Sequence, residues 1–308
     1  MSSKQTKYHF ILNPVAGRGR AYKAIKKIRS LLREKNVNHT FSITSAPKHA
    51  TQLAKDAQKD YDVIVAIGGD GTVNEVINGI INSQTKFGVI PLGSGNDFAR
   101  AVKMPHNLID AIDIILSNKN ILADIGKVIT HRLVDNKIQI YDERYFINGI
   151  GIGFDASVAY ESSKIKRLRG LPLYIFALFR ALLKYKTLNF LVKLDELRLK
   201  SKYFLIAIGN GVSAGGGFYL TPDAKLDDKR FDVCYVNPVG IFKILKIFPS
   251  VLKGLHGRYK EVNFTHARNI EVSSEQKFFV HADGEIVGNN VNSVEISLIP
   301  AAIQVITG

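Results

Sequence analysis

The sequence predicts a fold in two parts, an N-terminal α/β domain followed by a C-terminal β-rich domain. In the first 125 residues, short apolar strands alternate with helical stretches, which is typical of a doubly wound parallel sheet. After residue 126 the chain is rich in β-branched and aromatic residues and in glycine turns, which is typical of antiparallel strands. No internal repeat or low-complexity linker separates the two parts.

Hydrophobic periodicity places the elements along the chain. Apolar runs predict strands near 7–13, 39–43, 61–67 and 86–91. Helical patterns occur near 20–35, 47–58, 73–82, 98–102 and 107–117. In the second part, strand patterns cover 127–150, 187–210, 229–237 and 261–299. Two apolar segments with interspersed or flanking basic residues, 164–186 and 239–260, interrupt them and predict helices.

Composition and charge limit the class of protein. The 308 residues predict one large or two modest domains, and a hydrophobic content of 46% is sufficient for a core. The net charge of +15 favours an anionic partner, either phosphate compounds or a membrane surface, and no frame typical of nucleic-acid binding is present. The alternative is a basic surface that is simply solvated. Cys234 is the only cysteine, and no cysteine or histidine cluster suggests zinc. The polar N-terminus lacks the apolar core of a signal peptide, so we expect a cytoplasmic protein.

A glycine-rich turn follows the third predicted strand and carries the strongest functional signal. The segment 61–79 reads YDVIVAIGGDGTVNEVING, in which an apolar strand runs into Gly68-Gly69-Asp70-Gly71-Thr72 and then a helix. Glycines let the backbone approach a ligand, and N–H groups at a helix start attract phosphate. The carboxylate of Asp70 could hold Mg²⁺ there. The alternative is an ordinary strand-to-helix turn with a capping aspartate.

Two more strand–turn–helix units carry similar turns. The strand 87–92 leads into Gly93-Ser94-Gly95-Asn96-Asp97, and the strand 8–12 leads into NPVAGRG at 13–19. Arg18 and Arg20 are candidates to meet phosphate charge. Neither a Walker A loop nor a G-x-G-x-x-G fingerprint is present. Loops at the carboxyl edge of a parallel sheet bind ligands, so we expect a phosphate site there.

These turns and several later segments resemble those of the diacylglycerol kinase catalytic-domain family. The chain is similar to its soluble bacterial lipid kinases, which are related to sphingosine and ceramide kinases. The resemblance spans nearly the whole chain in the right order. It rests on NPVAGRG, GGDGTVNEVING, PLGSGND, FIN at 146–148, GIGFD at 151–155, GNG at 209–211, GGG at 215–217, PDAKLDD at 222–228 and HADGE at 281–285.

The resemblance implies a fold like that of NAD kinases and diacylglycerol kinases. An N-terminal doubly wound nucleotide-binding domain would be followed by a C-terminal antiparallel β-sandwich domain. In the family the tail returns to complete the first domain. We therefore expect an ATP-binding domain of residues 1–126 plus 294–308 and a lipid-acceptor domain of residues 127–293.

The same resemblance implies an ATP- and Mg²⁺-dependent lipid kinase. Diacylglycerol, giving phosphatidic acid, is the first expectation for the acceptor. Sphingoid bases, ceramide, phosphatidylglycerol and isoprenoid alcohols stay open. A nicotinamide-nucleotide kinase is a rival, because such enzymes have a similar glycine-aspartate turn, and a non-catalytic nucleotide-binding membrane protein is a second rival.

Site residues follow from the resemblance and from the turns that carry it. Those expected at ATP are Asn13, Gly17, Thr44, Gly68, Gly69, Gly71, Thr72, Asn74 and Ser94. The carboxylates expected to organise Mg²⁺ are Asp70, Asp97 and Asp124. Glu285 is the candidate general base, with Asp283 beside it as the alternative, although a plain hairpin turn would also explain Asp283-Gly284-Glu285.

Basic residues and one acidic loop complete the expected site. Lys164 or Lys166 is a candidate to neutralise transferred phosphate. The resemblance implies a structural Mg²⁺ at Asp228, with main-chain carbonyls of Lys225 and Arg230, and a solvated turn is the alternative. The family commonly has glycine where this chain has Lys229, which puts the loop conformation in question if that position needs a positive φ.

The resemblance to lipid kinases implies that at least one of the two basic apolar segments contacts a membrane. Both are too short or too interrupted by charge to span a bilayer, but either fits the interface between headgroups and acyl chains. The alternative is that both helices simply cover the β-sheet. We expect a peripheral membrane protein whose lipid acceptor lies at an anionic surface. A homodimer stays open, because the sequence does not determine the oligomeric state.

Overall fold

The computed structural model describes residues 5–135, 137–165, 168 and 171–308, with only the backbone for Leu171 and Tyr174. Lys166, one of the two expected phosphate-neutralising lysines, lies outside these residues. The chain forms two compact units. Unit 1 is Met1–Asp124 with Ala301–Gly308, and unit 2 is Ile125–Pro300.

Unit 1 alternates strands and helices, as the sequence predicts. Its first four strands are β1 Lys7–Leu12, β2 Asn38–Ile43, β3 Val63–Gly68 and β4 Lys86–Pro91. Its helices are α1 Ala16–Glu34, α2 His49–Ala57, α3 Asp70–Ile80, α4 Asp97–Ala101 and α5 Leu108–Ser117.

Unit 2 is built mainly of antiparallel strands with three helices. The strands that follow α5 are β5 Asn120–Val134, β6 Lys137–Phe146, β7 Gly149–Gly153, β8 Leu188–Leu194, β9 Leu197–Tyr203, β10 Leu205–Gly209, β11 Phe231–Val236, β12 Val262–Ala267, β13 Asn269–Ala282 and β14 Glu285–Ile306. The helices are α6 Phe154–Ser163, α7 Leu171–Leu182 and α8 Ile241–Val251, and residues His256–Arg258 form a 3₁₀ turn.

The sheet of unit 1 is parallel and has a topological switch point. Its strand order is β2-β1-β3-β4, and the end of β14 pairs in parallel with β4 through Val305 and Phe87. Strands β1 and β3 are neighbours although β2 lies between them in sequence, so the winding direction reverses between them. In open α/β sheets ligands bind at the carboxyl ends of the strands beside such a point.

One buried carboxylate links the two segments of unit 1, at the point where the chain leaves the unit and later returns to it. Asp124, on β5, is 1% exposed, and it accepts a hydrogen bond of 2.8 Å from the backbone N–H of Ala301. The sequence predicts a functional carboxylate at this position, and the structure shows at least this bond to the returning chain. Asp124 therefore helps to tie the C-terminal segment of β14 into unit 1.

In unit 2 the sheet β12-β11-β10-β7-β13-β14 has antiparallel neighbours, and β8 with β9 extends from β13. Side chains alternate between its two faces. On β10, Ile206 and Ile208 enter the core between the strands, whereas Ala207 faces a second core. On β11, Val233 enters the first core and Cys234 the second. The second core is covered by α6, α7 and α8.

Helix α6 is the element that the sequence analysis does not predict. Its residues Phe154, Ala156, Val158, Ala159 and Glu161 are all buried, although they do not form a single stripe. A helix buried on several sides lacks the one-sided apolar pattern that marks a surface helix. In the segment 164–186 the structure forms the shorter helix α7, and in 239–260 it forms α8 and the 3₁₀ turn.

Glu161 joins α6 to α7 through charges. Its side chain is 8% exposed and lies 2.9 Å from Arg180, 3.3 Å from Lys164 and 3.8 Å from Lys184. Burial alone would raise the pKa of Glu161. The hydrogen bond from Lys164 and the charges of Lys184 and Arg180 outweigh that effect, so the pKa lies below its ordinary value of 4.5. Lys164 also lies over the Tyr160 ring, so its ammonium group is already engaged.

We predict that Glu161→Gln lowers the free energy of unfolding at pH 7 by about 1–2 kcal/mol, because three cations lose their carboxylate partner. A lowered folded-state pKa contributes stability above the unfolded pKa, and that stability is lost as the pH falls through the folded-state value. The difference from wild type should therefore shrink below pH 4.5. Urea unfolding at pH 7 and pH 4 measures it, with Glu275→Gln as an exposed control. An equal difference at both pH values would contradict the ion-pair explanation.

Candidate active site

The loops after β3 and β4 touch through glycine backbone. A Cβ built on Gly93 would lie 2.2 Å from the Cα of Gly69, and one built on Gly69 would lie 3.0 Å from the Cα of Gly93. No side chain fits at Gly93 without moving the backbone of the other loop. The sequence places both glycines at strand ends, and the structure shows that their contact joins the two predicted phosphate turns.

The loop after β1 joins this pair through a run of left-handed residues. Gly17, Arg18 and Gly19 all have positive φ, from 57° to 81°. A Cβ on Gly17 would lie 2.1 Å from the carbonyl oxygen of Leu92, so this loop also contacts the end of β4. Regular helical conformation therefore begins only after Gly19, which agrees with the helix near 20–35 predicted from the sequence.

Arg20 links the loop after β1 to the loop after β4. Its Nε donates 3.1 Å to the carbonyl of Gly17, and its Nη2 donates 2.9 Å to the carbonyl of Gly93. The sequence analysis expects Arg20 to contact phosphate charge. In the structure its guanidinium group donates to backbone carbonyls of the two loops and fixes their position. Arg18 is exposed.

The start of α3 lies against the first loop. The amide Nδ2 of Asn13 donates 3.1 Å to Oγ1 of Thr72, which is 4% exposed. Gly69 is the N-cap of α3 and has no side chain to cap the first N–H groups of the helix. N–H groups at a helix start that follows a glycine loop are suited to an anion. Asn13, Gly69 and Thr72 are therefore brought together as the sequence predicts.

Asp70 and Asp97 also lie at this edge. Asp70 accepts a hydrogen bond of 3.1 Å from the backbone N–H of Phe98, directly after Asp97. Asp97 is 4% exposed and forms an ion pair of 2.7 Å with Arg100. Asp70 therefore contacts the backbone of the loop that carries Asp97. Carboxylate oxygens of this kind are the ligands that Mg²⁺ accepts in proteins, so the donor set fits a divalent cation.

The remaining residues expected at ATP lie on the same elements. Thr44 follows β2 and its N–H donates 2.9 Å to the carbonyl of Leu12, at the end of β1. Asn74 is buried on the second turn of α3, and Ser94 is exposed in the loop after β4. Gly68 and Gly71 lie at the end of β3 and the start of α3.

Sequence reasoning missed two side chains that organise these loops. Asn96, at φ 56°, bonds through its side-chain amide to both the N–H and the carbonyl of Gly93, each at 3.1 Å. Glu75 accepts from the N–H groups of Lys48 and Ala50 and so caps α2. Asn after Gly-Ser-Gly is a usable signal, because asparagine tolerates the left-handed region. Nothing in the local sequence marks Glu75.

In unit 2, Asp283 is a structural carboxylate of the predicted hairpin turn. Its Oδ1 accepts from the N–H groups of Asn148 and Gly149 at 2.9 and 3.0 Å, and its Oδ2 accepts from that of Ile147 at 3.0 Å. Asp283 and Gly284 have φ of 48° and 83°, which is the two-residue Asp-Gly turn of a β-hairpin. This geometry is that of a plain hairpin turn, and it is equally compatible with a general base in the turn.

Glu285 differs from Asp283 in its surroundings. Its side chain is 50% exposed, and its Oε2 lies 2.9 Å from Nη1 of Arg144. Arg144 binds Asp142 with its other terminal nitrogen, also at 2.9 Å. Glu285 is the more exposed of the two carboxylates in the turn, since Asp283 is only partly exposed.

Asp228, the expected ligand of a structural Mg²⁺, is partly buried beside Arg230. Oδ2 of Asp228 accepts from Nε of Arg230 at 3.0 Å, while Oδ1 is buried and finds no hydrogen-bond partner among the described residues. A buried carboxylate oxygen without a donor fits a metal ligand. Lys229 adopts φ 62°, the conformation that glycine would adopt there, so the loop keeps that backbone despite the side chain. Lys225 lies in the same 222–230 segment.

Unit 2 contains an apolar cavity of about 110 Å³ between the strands and the helices α6, α7 and α8. Its wall includes Phe154 and Val158 of α6, Leu178 of α7, and Ile244 and Phe248 of α8. The strands contribute Leu205 of β10 and Cys234 and Val236 of β11 to the wall. One end is polar, since Asp155, His281 and Gly284 line it.

Two titratable side chains in the wall are held neutral by burial. Burial raises the pKa of the Cys234 thiol to about 12, with a further contribution from Asp155. Burial also lowers the pKa of His256, although its bond to the carbonyl of Leu220 acts in the opposite direction. These two side chains therefore add no charge to the wall of the cavity.

The two units, a parallel sheet with glycine loops at its switch point and a set of antiparallel strands, correspond to two family models. The model of the diacylglycerol kinase catalytic domain matches residues 7–128, and that of the YegS C-terminal NAD kinase beta sandwich-like domain matches residues 148–307. The chain therefore belongs to the diacylglycerol kinase family and is a lipid kinase, which confirms the resemblance and the fold class predicted from the sequence.

Individual relatives agree with the family models. The chain is 34% identical to a diacylglycerol kinase of Staphylococcus saprophyticus over 77% of this chain and 75% of the relative. It is 31% identical to a diacylglycerol kinase of Staphylococcus haemolyticus over 90% and 82%. A solved structure of a diacylglycerol kinase from Bacillus anthracis str. Sterne has a TM-score of 0.73 and 22% identity, covering 100% and 98% of the two chains. That structure supports the fold.

None of the described helices has both the length and the apolar character needed to cross a bilayer.

We predict that millimolar Mg²⁺ without nucleotide raises the melting temperature of the wild-type protein and that Asp228→Ala removes the larger part of the rise. A ligand at about 100 times its dissociation constant adds about 2.7 kcal/mol to the stability of the folded state. Calorimetry with and without Mg²⁺ measures the effect, with the exposed neighbour Asp227→Ala as the control. An equal rise in both variants would contradict the cation site at Asp228.

Proposed function

We propose that this lipid kinase transfers the γ-phosphoryl group of ATP, with Mg²⁺, to the hydroxyl of a lipid, with diacylglycerol as the first acceptor and phosphatidic acid as the product. The observation that carries the proposal is the apolar cavity of unit 2, whose polar end contains His281 and Gly284 beside Glu285. The names of the curated relatives also favour diacylglycerol.

The loops of unit 1 are the proposed nucleotide site. Phosphoryl transfer depends mainly on positioning and on stabilising charge, so backbone N–H groups and a fixed glycine frame are the parts that matter. The contact of Gly69 with Gly93 and the bond of Asn13 to Thr72 fix that frame. Asp70 and Asp97 would hold Mg²⁺, which when bound neutralises phosphate charge.

The cavity suits the apolar part of a lipid. Aliphatic and aromatic side chains make up most of its wall, so burying acyl chains there removes apolar surface from water without leaving polar groups unpaired. A hydroxyl would remain at the polar end.

Glu285 is the proposed general base. A base must reach the acceptor hydroxyl and accept its proton. Both oxygens of Asp283 already accept backbone N–H groups, whereas the side chain of Glu285 is half exposed and has one ion pair, with Arg144. Asp283 then positions the turn.

Membrane contact is proposed for the two helices that cover the cavity. On α8, Ile241, Phe242 and Leu245 are exposed, and Phe242 is 91% exposed, while Ile244 and Ile247 of the same helix face the cavity. Near α7, Phe176, Phe179 and Leu183 are exposed. A helix that is apolar on both faces fits an interface with lipid on its outer side, and exposed Lys246 and Lys184 would meet anionic headgroups.

The two rival functions fit this geometry less well. A nicotinamide nucleotide is polar and charged, and an apolar wall offers it few partners. A non-catalytic binding protein would not need the half-exposed Glu285 in a turn fixed by three backbone hydrogen bonds.

The proposed activity predicts Mg²⁺-dependent transfer of labelled γ-phosphate from ATP to at least one lipid alcohol. The assay uses mixed micelles containing dioleoylglycerol, ceramide, sphingosine, phosphatidylglycerol or a polyprenol, with NAD as a soluble acceptor. Asp70→Asn and Glu285→Gln should each lower kcat at least 100-fold, because each removes a group from the reacting centre. Glu275→Gln is the exposed carboxylate control. Labelled NAD phosphate, or no labelled lipid at all, would overturn the proposal.

If α8 docks on the membrane, substitutions at two exposed apolar residues should change vesicle binding to different extents. Phe242→Asp should weaken sedimentation with vesicles of 30% anionic lipid by roughly tenfold, because about 1.4 kcal/mol of apolar contact is lost and a like charge is added. Ile138→Asp, at a side chain that is 73% exposed on β6, is the matched control and should bind as wild type. Added salt should weaken binding of the wild-type protein. Equal loss in both variants would contradict docking through α8.

A further inference from the structure

We infer that Asp155 and His281 form a hydrogen-bonded pair that positions the Glu285 turn at the polar end of the lipid cavity. This inference rests on the proposed function, since it assigns positioning residues to that reaction. Neither residue is among the site residues expected from the sequence. His281 is on β13 and Asp155 is in the first turn of α6, so both side chains stand on regular structure rather than on a loop.

The first step is the tautomer of His281. The backbone N–H of Gly284 donates 3.3 Å to Nδ1 of His281, so Nδ1 is an acceptor. A neutral imidazole with an accepting Nδ1 carries its proton on Nε2. That Nε2 lies 2.9 Å from Oδ2 of Asp155 and donates to it. The two bonds favour the same tautomer. The carboxylate of Asp155 favours a proton on Nε2, and Nδ1 is then able to accept from the N–H of Gly284.

The second step is the space that the pair occupies. In the register of β7 and β13, His281 is directly opposite Gly151. A Cβ on Gly151 would lie 2.1 Å from Oδ2 of Asp155 and 2.2 Å from Nε2 of His281. The hydrogen bond therefore passes over a strand position that has no room for a side chain. His281 has a side chain that is only 5% exposed, so its ring is fixed by packing as well as by both bonds.

The third step is what the pair holds. Gly284, whose N–H it binds, separates Asp283 from Glu285. Asp283 is fixed by the N–H groups of residues 147–149, and His281 fixes Gly284, so the turn is held from both sides. Both members of the pair also line the cavity. His281 and Asp155 thereby couple the wall of the lipid cavity to the backbone that carries the proposed base.

Two histidine variants separate the two bonds. An asparagine amide can replace Nδ1 of histidine and a glutamine amide can replace Nε2, so His281→Asn keeps an acceptor for Gly284 and His281→Gln keeps a donor to Asp155. We expect His281→Ala and His281→Gln to lower kcat for dioleoylglycerol roughly 10- to 100-fold, since a small misplacement of a reacting group has effects of that size. His281→Asn should retain kcat within about threefold, and KM for ATP should not change.

Asp155→Ala and Gly151→Ala test the orienting side of the pair, and we expect a smaller loss of kcat than in His281→Ala, because His281 can still accept from Gly284 in one of its two neutral tautomers. The control is His131→Asn, on β5, which lies outside the cavity wall and the turn. Wild-type kcat in His281→Ala would overturn the inference, as would equal kcat in His281→Asn and His281→Gln. If His281→Ala does not fold, the comparison of the two amide variants still decides.

A second readout does not depend on activity. ¹⁵N NMR of histidine-labelled wild-type protein should show His281 as the neutral tautomer protonated on Nε2, and Asp155→Asn should change its ¹⁵N shifts. A proton on Nδ1, or a charged ring at neutral pH, would overturn the pair. If the wild-type protein phosphorylates no lipid, the proposed function fails while the tautomer still tests the hydrogen-bonded pair.

Discussion

The backbones of Gly69 and Gly93 approach so closely that their loops have no room for a side chain between them, and the nucleotide half of the protein depends on that constraint. The loop from β1 packs against the same region through Gly17, and Arg20 binds carbonyls of two of the three loops. Close packing of three glycine turns at one switch point leaves backbone N–H groups, rather than side chains, to face a phosphate.

A missing side chain also matters in unit 2, at a different place. Gly151 on β7 leaves room for the hydrogen bond between Asp155 and His281. These two side chains line the polar end of the cavity beneath α6, α7 and α8, and the remaining wall is mostly aliphatic and aromatic. The proposed function assigns the apolar wall to the chains of a lipid and the polar end to its hydroxyl.

The hairpin turn at 283–285 shows how two adjacent carboxylates take different roles. Asp283 gives its oxygens to the backbone of residues 147–149, whereas Glu285 keeps a half-exposed side chain paired with Arg144. The difference comes from which way each residue points from a tight turn. A side chain that accepts from three backbone N–H groups fixes the turn, and under the proposed function the other carboxylate, Glu285, accepts the proton of the acceptor hydroxyl.

The sequence by itself determined the order of elements, the glycine turns and the family, because strand and helix periodicity and turn chemistry are local properties. It did not reveal α6, whose buried residues form no single stripe, or that Lys229 adopts a positive φ. Only the tertiary structure decided the cavity, the role of Asp283 and the pairing of His281 with Asp155. Asp283 binds residues about 135 positions away, and His281 binds one that is 126 positions away. Contacts between such distant positions arise from the packing of strands, which no local pattern encodes.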